Sequence, residues 1–220
     1  MKLGLLTLIV TAGAAGVAHG QGDAQANLTG RLAPSVAAAV ARIADSAAAR
    51  HLPVQPIVEK ANEGAVKGVP GDRLVAAASM VLHQLDQSAS AIRAAGGQPE
   101  ADAVEAGAVA INAGLRQQDV EAVVRHTRAP YTPVNTLRVA ATLAALGVPG
   151  PETVDLVGRA VDSHQVGEGL LDLPREVQAQ MSGGSSASEA AEHVAHGETS
   201  EPGAASTAHG SPTTGHAHKP

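Results

Sequence analysis

Prolines and glycines recur at regular intervals between residues 31 and 181, and this pattern limits the fold more than any other feature of the chain. Proline is favoured in the first turn of a helix and glycine just past its end. Applied along the chain, this asymmetry predicts helices over about 34–50, 53–68, 70–96, 99–114, 118–127, 133–147 and 151–164, with a last one starting near Pro174. No stretch alternates polar and apolar residues with the β-branched or aromatic enrichment of a strand. The sequence therefore predicts an all-α domain of six to eight short, alanine-rich helices and no sheet.

The predicted helix over 70–96 has the clearest apolar stripe. Its members are separated by alternating steps of four and three residues: Leu74, Ala78, Val81, Leu85, Ser88 and Ile92. This spacing is typical of a helix that packs against other helices. Ion pairs with the acid four residues before the base support three further helices: Glu63–Lys67, Glu121–Arg125 and Asp155–Arg159.

A similar unit occurs three times, with a helix, a glycine, a short turn and then a second helix. The first helices span residues 53–68, 99–114 and 133–147, and each turn begins at the closing glycine. We expect this glycine at the left-handed position that ends a helix, with the next apolar residue covering the last turn, as in a Schellman motif. The units are either a true repeat or independent helical hairpins, which stack as a short solenoid or fold as one small bundle.

The residue types that are missing exclude several classes of function. The chain has no Phe, no Trp and one Tyr, Tyr131. This excludes an aromatic platform that stacks bases and an aromatic cage that holds cations. The chain has no Cys, which excludes disulfides, thiolate metal sites and a cysteine nucleophile. A net charge of -6 argues against a protein that binds nucleic acid.

The first 20 residues have the pattern of an export signal. Lys2 precedes an apolar run over residues 3–17, and small residues at 18 and 20 suit cleavage before Gln21, with cleavage after Ala18 as a second choice. An uncleaved anchor is the alternative. No other stretch approaches the length of a membrane span, so we expect no stable membrane insertion after cleavage. The sequence thus predicts an exported bacterial protein, periplasmic or secreted, with a signal peptide over 1–20, a short linker over 21–30 and the helical domain over 31–181.

Residues 182–220 form a polar tail rich in Ser, Gly, Thr, Glu and His. Because it has almost no large apolar residues, we expect it to be disordered, with a transient helix over 187–195. Five imidazoles lie in it: His193, His196, His209, His216 and His218. Histidine-rich tracts bind Zn, Cu or Ni, and these metals are the only cofactors that the sequence suggests. The alternative is a solubilising linker in which the histidines are incidental.

The loop around residues 125–133 contains two arginines, a histidine and the single tyrosine beside a predicted helix N-terminus. A helix N-terminus next to Arg is suited to binding an anion. Arg125, His126, Arg128 and Tyr131 are therefore a candidate anion site. In the alternative interpretation the arginines balance Glu121 and the end of their own helix, while the tyrosine anchors the loop.

Residues 51–77 read HLPVQPIVEKANEGAVKGVPGDRLVAA. This segment has a Leu-Pro opening, a Lys-Ala-x-Glu-Gly core and a Gly-x-Pro turn followed by Asp-Arg. In these features it resembles a motif of uncharacterised exported bacterial helical proteins. The resemblance covers about 27 residues. It implies an exported, all-helical protein. The group has no assigned activity, so no functional residue is implied.

The sequence contains no G-x-S-x-G and no nucleophile, histidine and acid in a known arrangement. It therefore predicts a non-enzymatic binding or scaffold protein of the bacterial cell envelope, with an envelope protein as partner. Periplasmic buffering of Zn, Cu or Ni by the tail is the second hypothesis. An enzyme whose site assembles around residues 125–131 is the third.

Overall fold

The computed structural model of the chain describes Gly30 and residues 32–163 and 169–197. These residues form nine α-helices and no β-strand: α1 Pro34–Ala49, α2 Gln55–Val66, α3 Gly71–Ala94, α4 Ala101–Asn112, α5 Gln117–His126, α6 Pro133–Ala145, α7 Gly150–Asp162, α8 Gly169–Ser182 and α9 Ala187–Ala195. The predicted all-α fold is confirmed. The predicted signal peptide and nearly all of the linker lie outside the described residues.

The three predicted glycine turns are confirmed. The φ angle of each closing glycine is positive: +67° at Gly68, +117° at Gly114 and +93° at Gly147. A residue with a Cβ would be strained at such an angle. The amide after each glycine donates to a carbonyl five residues earlier, as the Schellman motif requires: Val69 to Gly64 at 2.9 Å, Leu115 to Ala110 at 3.0 Å and Val148 to Leu143 at 3.1 Å. Each helix therefore ends abruptly and the chain reverses into the next one.

The predicted start of the eighth helix near Pro174 is wrong. Helix α8 begins at Gly169, and Pro174 lies inside it. The buried side chains of Leu170 and Leu173 extend the apolar face of the helix toward its N-terminus. Their burial outweighs the single helical hydrogen bond that a proline cannot donate.

The predicted end of the domain at residue 181 is also wrong. Helix α9 follows α8 after a short turn and has the bounds of the transient helix suggested over 187–195, although the predicted domain held at most eight helices. Ala190 and Ala191 are buried, and the Ser188 hydroxyl donates to Glu152 of α7 at 3.1 Å. Composition misled the prediction because alanine, which is small, is buried completely wherever a helix lies close enough to its neighbours. The remaining tail, 198–220, lies outside the described residues.

The helices are stacked along the chain rather than arranged around a common centre. Within the described part of the chain, each helix makes its substantial contacts with helices one or two places away in sequence, and none joins α1 to α9. One continuous hydrophobic core nevertheless runs from Val40 in α1 to Ala191 in α9. This pattern is that of a short helical solenoid, in which each unit contacts only its neighbours.

A buried carboxylate joins α5 to α7. Asp119 accepts hydrogen bonds from the backbone N of Arg116 at 2.9 Å and from its guanidinium at 3.0 Å. Its side chain is 7% exposed and lies against Gly150, where a Cβ would come within 2.5 Å of Oδ2. Burial by itself raises the pKa of Asp119, but the hydrogen bonds and charge of Arg116 lower it below its usual value.

Candidate functional site

A groove interrupts the stack between α2 and α4. Both helices pack against α3. They do not pack closely against each other, whereas every other described pair of helices two places apart in the chain does. The open space between them has a volume of about 410 Å³. Sites for small ligands have volumes of about 300–1,000 Å³, so the groove is large enough for one.

Eleven residues line the groove, and they divide into apolar, amide and charged groups. The apolar ones are Pro56, Val81, Leu85, Ala108 and Val109. Gln84 and Asn112 supply amides, and the Gln84 Nε2 donates to the Asn112 Oδ1 at 3.2 Å. This bond joins α3 to α4. The groove therefore combines apolar walls with a small number of polar groups, which is the usual composition of a ligand site.

The charged side chains of the groove are Glu59, Lys60 and Glu63 from α2 and Glu105 from α4. Glu63 is already balanced, because Lys60 pairs with it at 3.1 Å and Lys67 pairs with it from the other side. The hydrogen bonds from Lys67 and Lys60 lower the pKa of Glu63 below its usual value. Glu63 therefore adds little uncompensated negative charge to the groove.

Glu59 and Glu105 carry the charge that is not balanced. Glu59 accepts one hydrogen bond, from the neutral Gln55 amide at 3.1 Å. Glu105 is half-buried and makes no hydrogen bond or ion pair with the part of the chain that the structure describes. Burial, followed by the charges of Asp102 and Glu59, raises the pKa of Glu105, while Arg138 opposes the shift. The groove thus holds a partly desolvated carboxylate in a negative surrounding.

The sequence analysis did not identify this groove. On this part of the chain the sequence predicted only an ion pair between Glu63 and Lys67. One signal is visible in retrospect: Glu105 is the only charged residue between Asp102 and the end of α4, in a run of alanine, glycine and valine. A lone carboxylate in such a run indicates a helix face that neighbouring helices leave uncovered.

The residues of the predicted anion site lie together at the end of α5, and both arginines are paired with acids. Arg125 pairs with Glu121 on its own helix, and Arg128 pairs with Asp162 of α7 at 3.3 Å. Tyr131 is partly buried against the core. The ring of His126 packs near Gly158 of α7, at the edge of a separate depression of about 210 Å³.

The helix N-terminus beside this loop is also occupied. The Thr132 hydroxyl accepts a hydrogen bond from the backbone N of Asn135 at 3.4 Å and so caps α6. The groups that would attract an anion therefore already have intramolecular partners.

Two of the five tail histidines lie in the described residues. His193 is in the last turn of α9 and His196 directly follows the helix. His209, His216 and His218 lie outside. Among the described residues, no three His, Asp or Glu side chains lie close enough together to hold a metal ion. Metal binding by the tail stays a prediction.

No helix in the described part of the chain is long and apolar enough to cross a membrane. Comparison with protein-family models, with curated proteins and with solved structures found no significant match. The resemblance of residues 51–77 to exported helical proteins stays a prediction.

Proposed function

We propose that the protein is an exported, non-enzymatic helical binding protein of the bacterial cell envelope, and that it binds its ligand in the groove between α2, α3 and α4. The gap between α2 and α4 is the observation that supports this most directly. A stack of helices gains stability by burying apolar surface between neighbours. Leaving Val81 partly exposed and Val109 58% exposed along an open groove gives up part of this gain. A ligand that covers them would recover it.

The polar groups of the groove suit recognition. Its lining offers carboxylates, one ammonium and two amides, all of which fix the position of a ligand by hydrogen bonds and charge. A nucleophile activated by an adjacent base, as covalent catalysis requires, is not among the lining residues. The chemistry of the site therefore favours binding.

Tryptophan reporters test this proposal, because the chain has no Trp of its own. Val109 lines the groove and is 58% exposed, so Val109→Trp places a fluorophore there without disturbing the core. Leu171→Trp is the matched control, since Leu171 is 60% exposed on α8 and outside the groove. Both proteins are titrated with a library of small cations, anions and neutral amphiphiles.

We expect some compounds to change the fluorescence of the Val109→Trp protein saturably, to leave the Leu171→Trp protein unchanged and to raise the Tm of the wild type. If no compound distinguishes the two reporters, the groove is not a ligand site and the proposal is wrong.

Export is tested separately. The full chain is expressed in a Gram-negative host, the periplasm is collected and the mass of the intact protein is measured. We expect a protein that begins at Gln21. A cytoplasmic protein, or one that retains residues 1–20 in the membrane, would contradict the envelope location.

Metal buffering by the tail is the second candidate. His193 and His196 lie three positions apart, His193 in the last turn of α9 and His196 directly after it, so both imidazoles are near the same end of the helix. Calorimetric titration of Zn²⁺, Cu²⁺ and Ni²⁺ into residues 21–220 and into a variant in which all five tail histidines, His193, His196, His209, His216 and His218, are replaced by alanine tests it. Binding that the substitution weakens supports this role, and equal or absent binding refutes it.

A further inference from the structure

We infer that the groove binds a small organic cation, an ammonium or guanidinium group carried on an apolar body. This inference rests on the proposed function, because it names the class of ligand for the same groove. It is drawn from the contacts of two carboxylates, from the apolar wall beside them and from the size of the space.

The charge of the lining selects a cation. Three carboxylates and one ammonium face the groove, and the ammonium, Lys60, is already paired with Glu63. Glu59 has only a neutral amide as partner and Glu105 has no hydrogen bond or ion pair within the described residues. An anion would be repelled by both. A cation would supply the charge-assisted hydrogen bonds that they lack.

The surroundings of Glu105 point the same way. Burial and the charges of Asp102 and Glu59 raise its pKa, and Arg138 compensates only in part. The ionised carboxylate is therefore destabilised in the empty protein. A cation seated beside it relieves this, and the partial burial of Glu105 makes the attraction stronger than between two exposed charges.

The rest of the lining requires an apolar body on the ligand. Pro56, Val81 and Val109 are the apolar lining residues that are not already buried, and Val109 is 58% exposed in the free protein. A hydrated metal ion would cover none of this surface. A metal ion held by carboxylates needs several oxygen ligands. Among the described residues, no three His, Asp or Glu side chains lie close enough together to hold one. An organic cation satisfies the carboxylates and the wall at once.

The test uses probes of matched shape. n-Hexylguanidinium carries a planar cation, n-hexylurea has the same outline without the charge, and heptanoate carries a negative head. Each is titrated calorimetrically into wild-type protein and into Glu105→Gln. Glu176→Gln is the control variant, because it removes one exposed carboxylate from α8, outside the groove.

We expect n-hexylguanidinium to bind the wild type about tenfold more tightly than n-hexylurea, which corresponds to one charge-assisted contact. Heptanoate should not bind. Glu105→Gln should weaken the binding of n-hexylguanidinium about tenfold and leave that of n-hexylurea unchanged, and Glu176→Gln should alter neither. Glu59→Gln repeats the test if Glu105→Gln fails to fold, as judged by circular dichroism.

Two outcomes would overturn the inference and leave the proposed function standing. In one, n-hexylurea binds as tightly as n-hexylguanidinium. In the other, compounds without a positive charge are the only ones that the Val109→Trp reporter detects. If n-hexylguanidinium binds but Glu105→Gln and Glu59→Gln both bind it as the wild type does, the cation does not sit at these carboxylates and the inference is also wrong.

Discussion

Substitution of Gly107 by alanine tests how closely the stacked helices approach one another. Gly107 lies in the middle of α4 and faces Ser88 of α3. A Cβ at this position would overlap the Ser88 hydroxyl, and it would lie 3.2 Å from the Ser88 Cβ and 3.3 Å from a methyl group of Val120 in α5. These distances are shorter than ordinary carbon–carbon contacts of about 3.5–4.0 Å, so the neighbours must move.

The expected magnitude is the difference between two effects. Overpacking of a buried site costs about 1–3 kcal/mol, and the upper half of this range applies because a short serine side chain has little room to move aside. Alanine in place of glycine in a helix interior stabilises it by about 1 kcal/mol. We therefore expect Gly107→Ala to lower the free energy of unfolding by about 1–2 kcal/mol.

Two further variants make the experiment specific. The Ser88 hydroxyl is buried without a hydrogen-bond partner among the described residues, so Ser88→Ala removes the obstacle without breaking a bond. In the double variant it should restore at least about 1 kcal/mol. Gly158→Ala is the matched control: Gly158 is also buried inside a helix, but a Cβ there would meet its nearest neighbour, the ring of His126, at an ordinary 3.5 Å. It should stabilise the protein by about 0.5–1 kcal/mol.

Urea unfolding followed by far-UV circular dichroism measures the free energy of unfolding of four proteins. They are the wild type, Gly107→Ala, the double variant Ser88→Ala/Gly107→Ala and Gly158→Ala. If Gly107→Ala is as stable as Gly158→Ala, the close approach of α3 and α4 is not the constraint that the structure indicates. If Ser88→Ala fails to rescue Gly107→Ala, the clash lies elsewhere and the reasoning is equally refuted.

Three more predictions follow from the fold. The pKa of Asp119 is lowered on folding, so its contribution to stability is present above the ordinary pKa of an aspartate and lost as the pH falls through the lower, folded-state value. Asp119→Asn should cost about 1–3 kcal/mol at neutral pH and flatten this acid dependence in urea titrations, whereas Asp155→Asn, at an exposed ion pair, should cost less than about 1 kcal/mol. Deleting 183–220 should lower the Tm by at least about 5 °C because α9 is lost, whereas deleting 198–220 should leave it unchanged; equal Tm values would show that α9 adds no stability. Gly114→Ala should lower the free energy of unfolding by about 1–2 kcal/mol because of the positive φ angle, and an unchanged urea midpoint would contradict that assignment.

The local signals of the sequence were sufficient for most of the helices. The Schellman turns after Gly68, Gly114 and Gly147 form because their glycines adopt backbone angles that other residues avoid, whatever packs around them. The apolar stripe on α3 was also predicted from its spacing, and all of its members except Val81 are buried. Where the signal conflicted with packing, as at Pro174, packing decided.

The groove between α2 and α4 could not be predicted from local sequence signals. Glu59 and Glu105 are 46 positions apart in sequence, and they face one space only because α2 and α4 both pack on α3. Nothing in either helix indicates the other as a neighbour. The same holds for Gly150, which is needed because Asp119 approaches it from another helix.

The sequence by itself thus determined where most of the helices begin and end, through capping, glycine angles and apolar spacing, which act within a few residues of the chain. Only the tertiary structure decided that the helices stack as a solenoid, that alanine-rich α9 belongs to it and that α2 and α4 stay apart. These depend on contacts between residues of different helices, which can be tens of positions apart in sequence, and their energy comes from which surfaces meet. Local sequence sets no such pairing, so the candidate site emerged only with the packing.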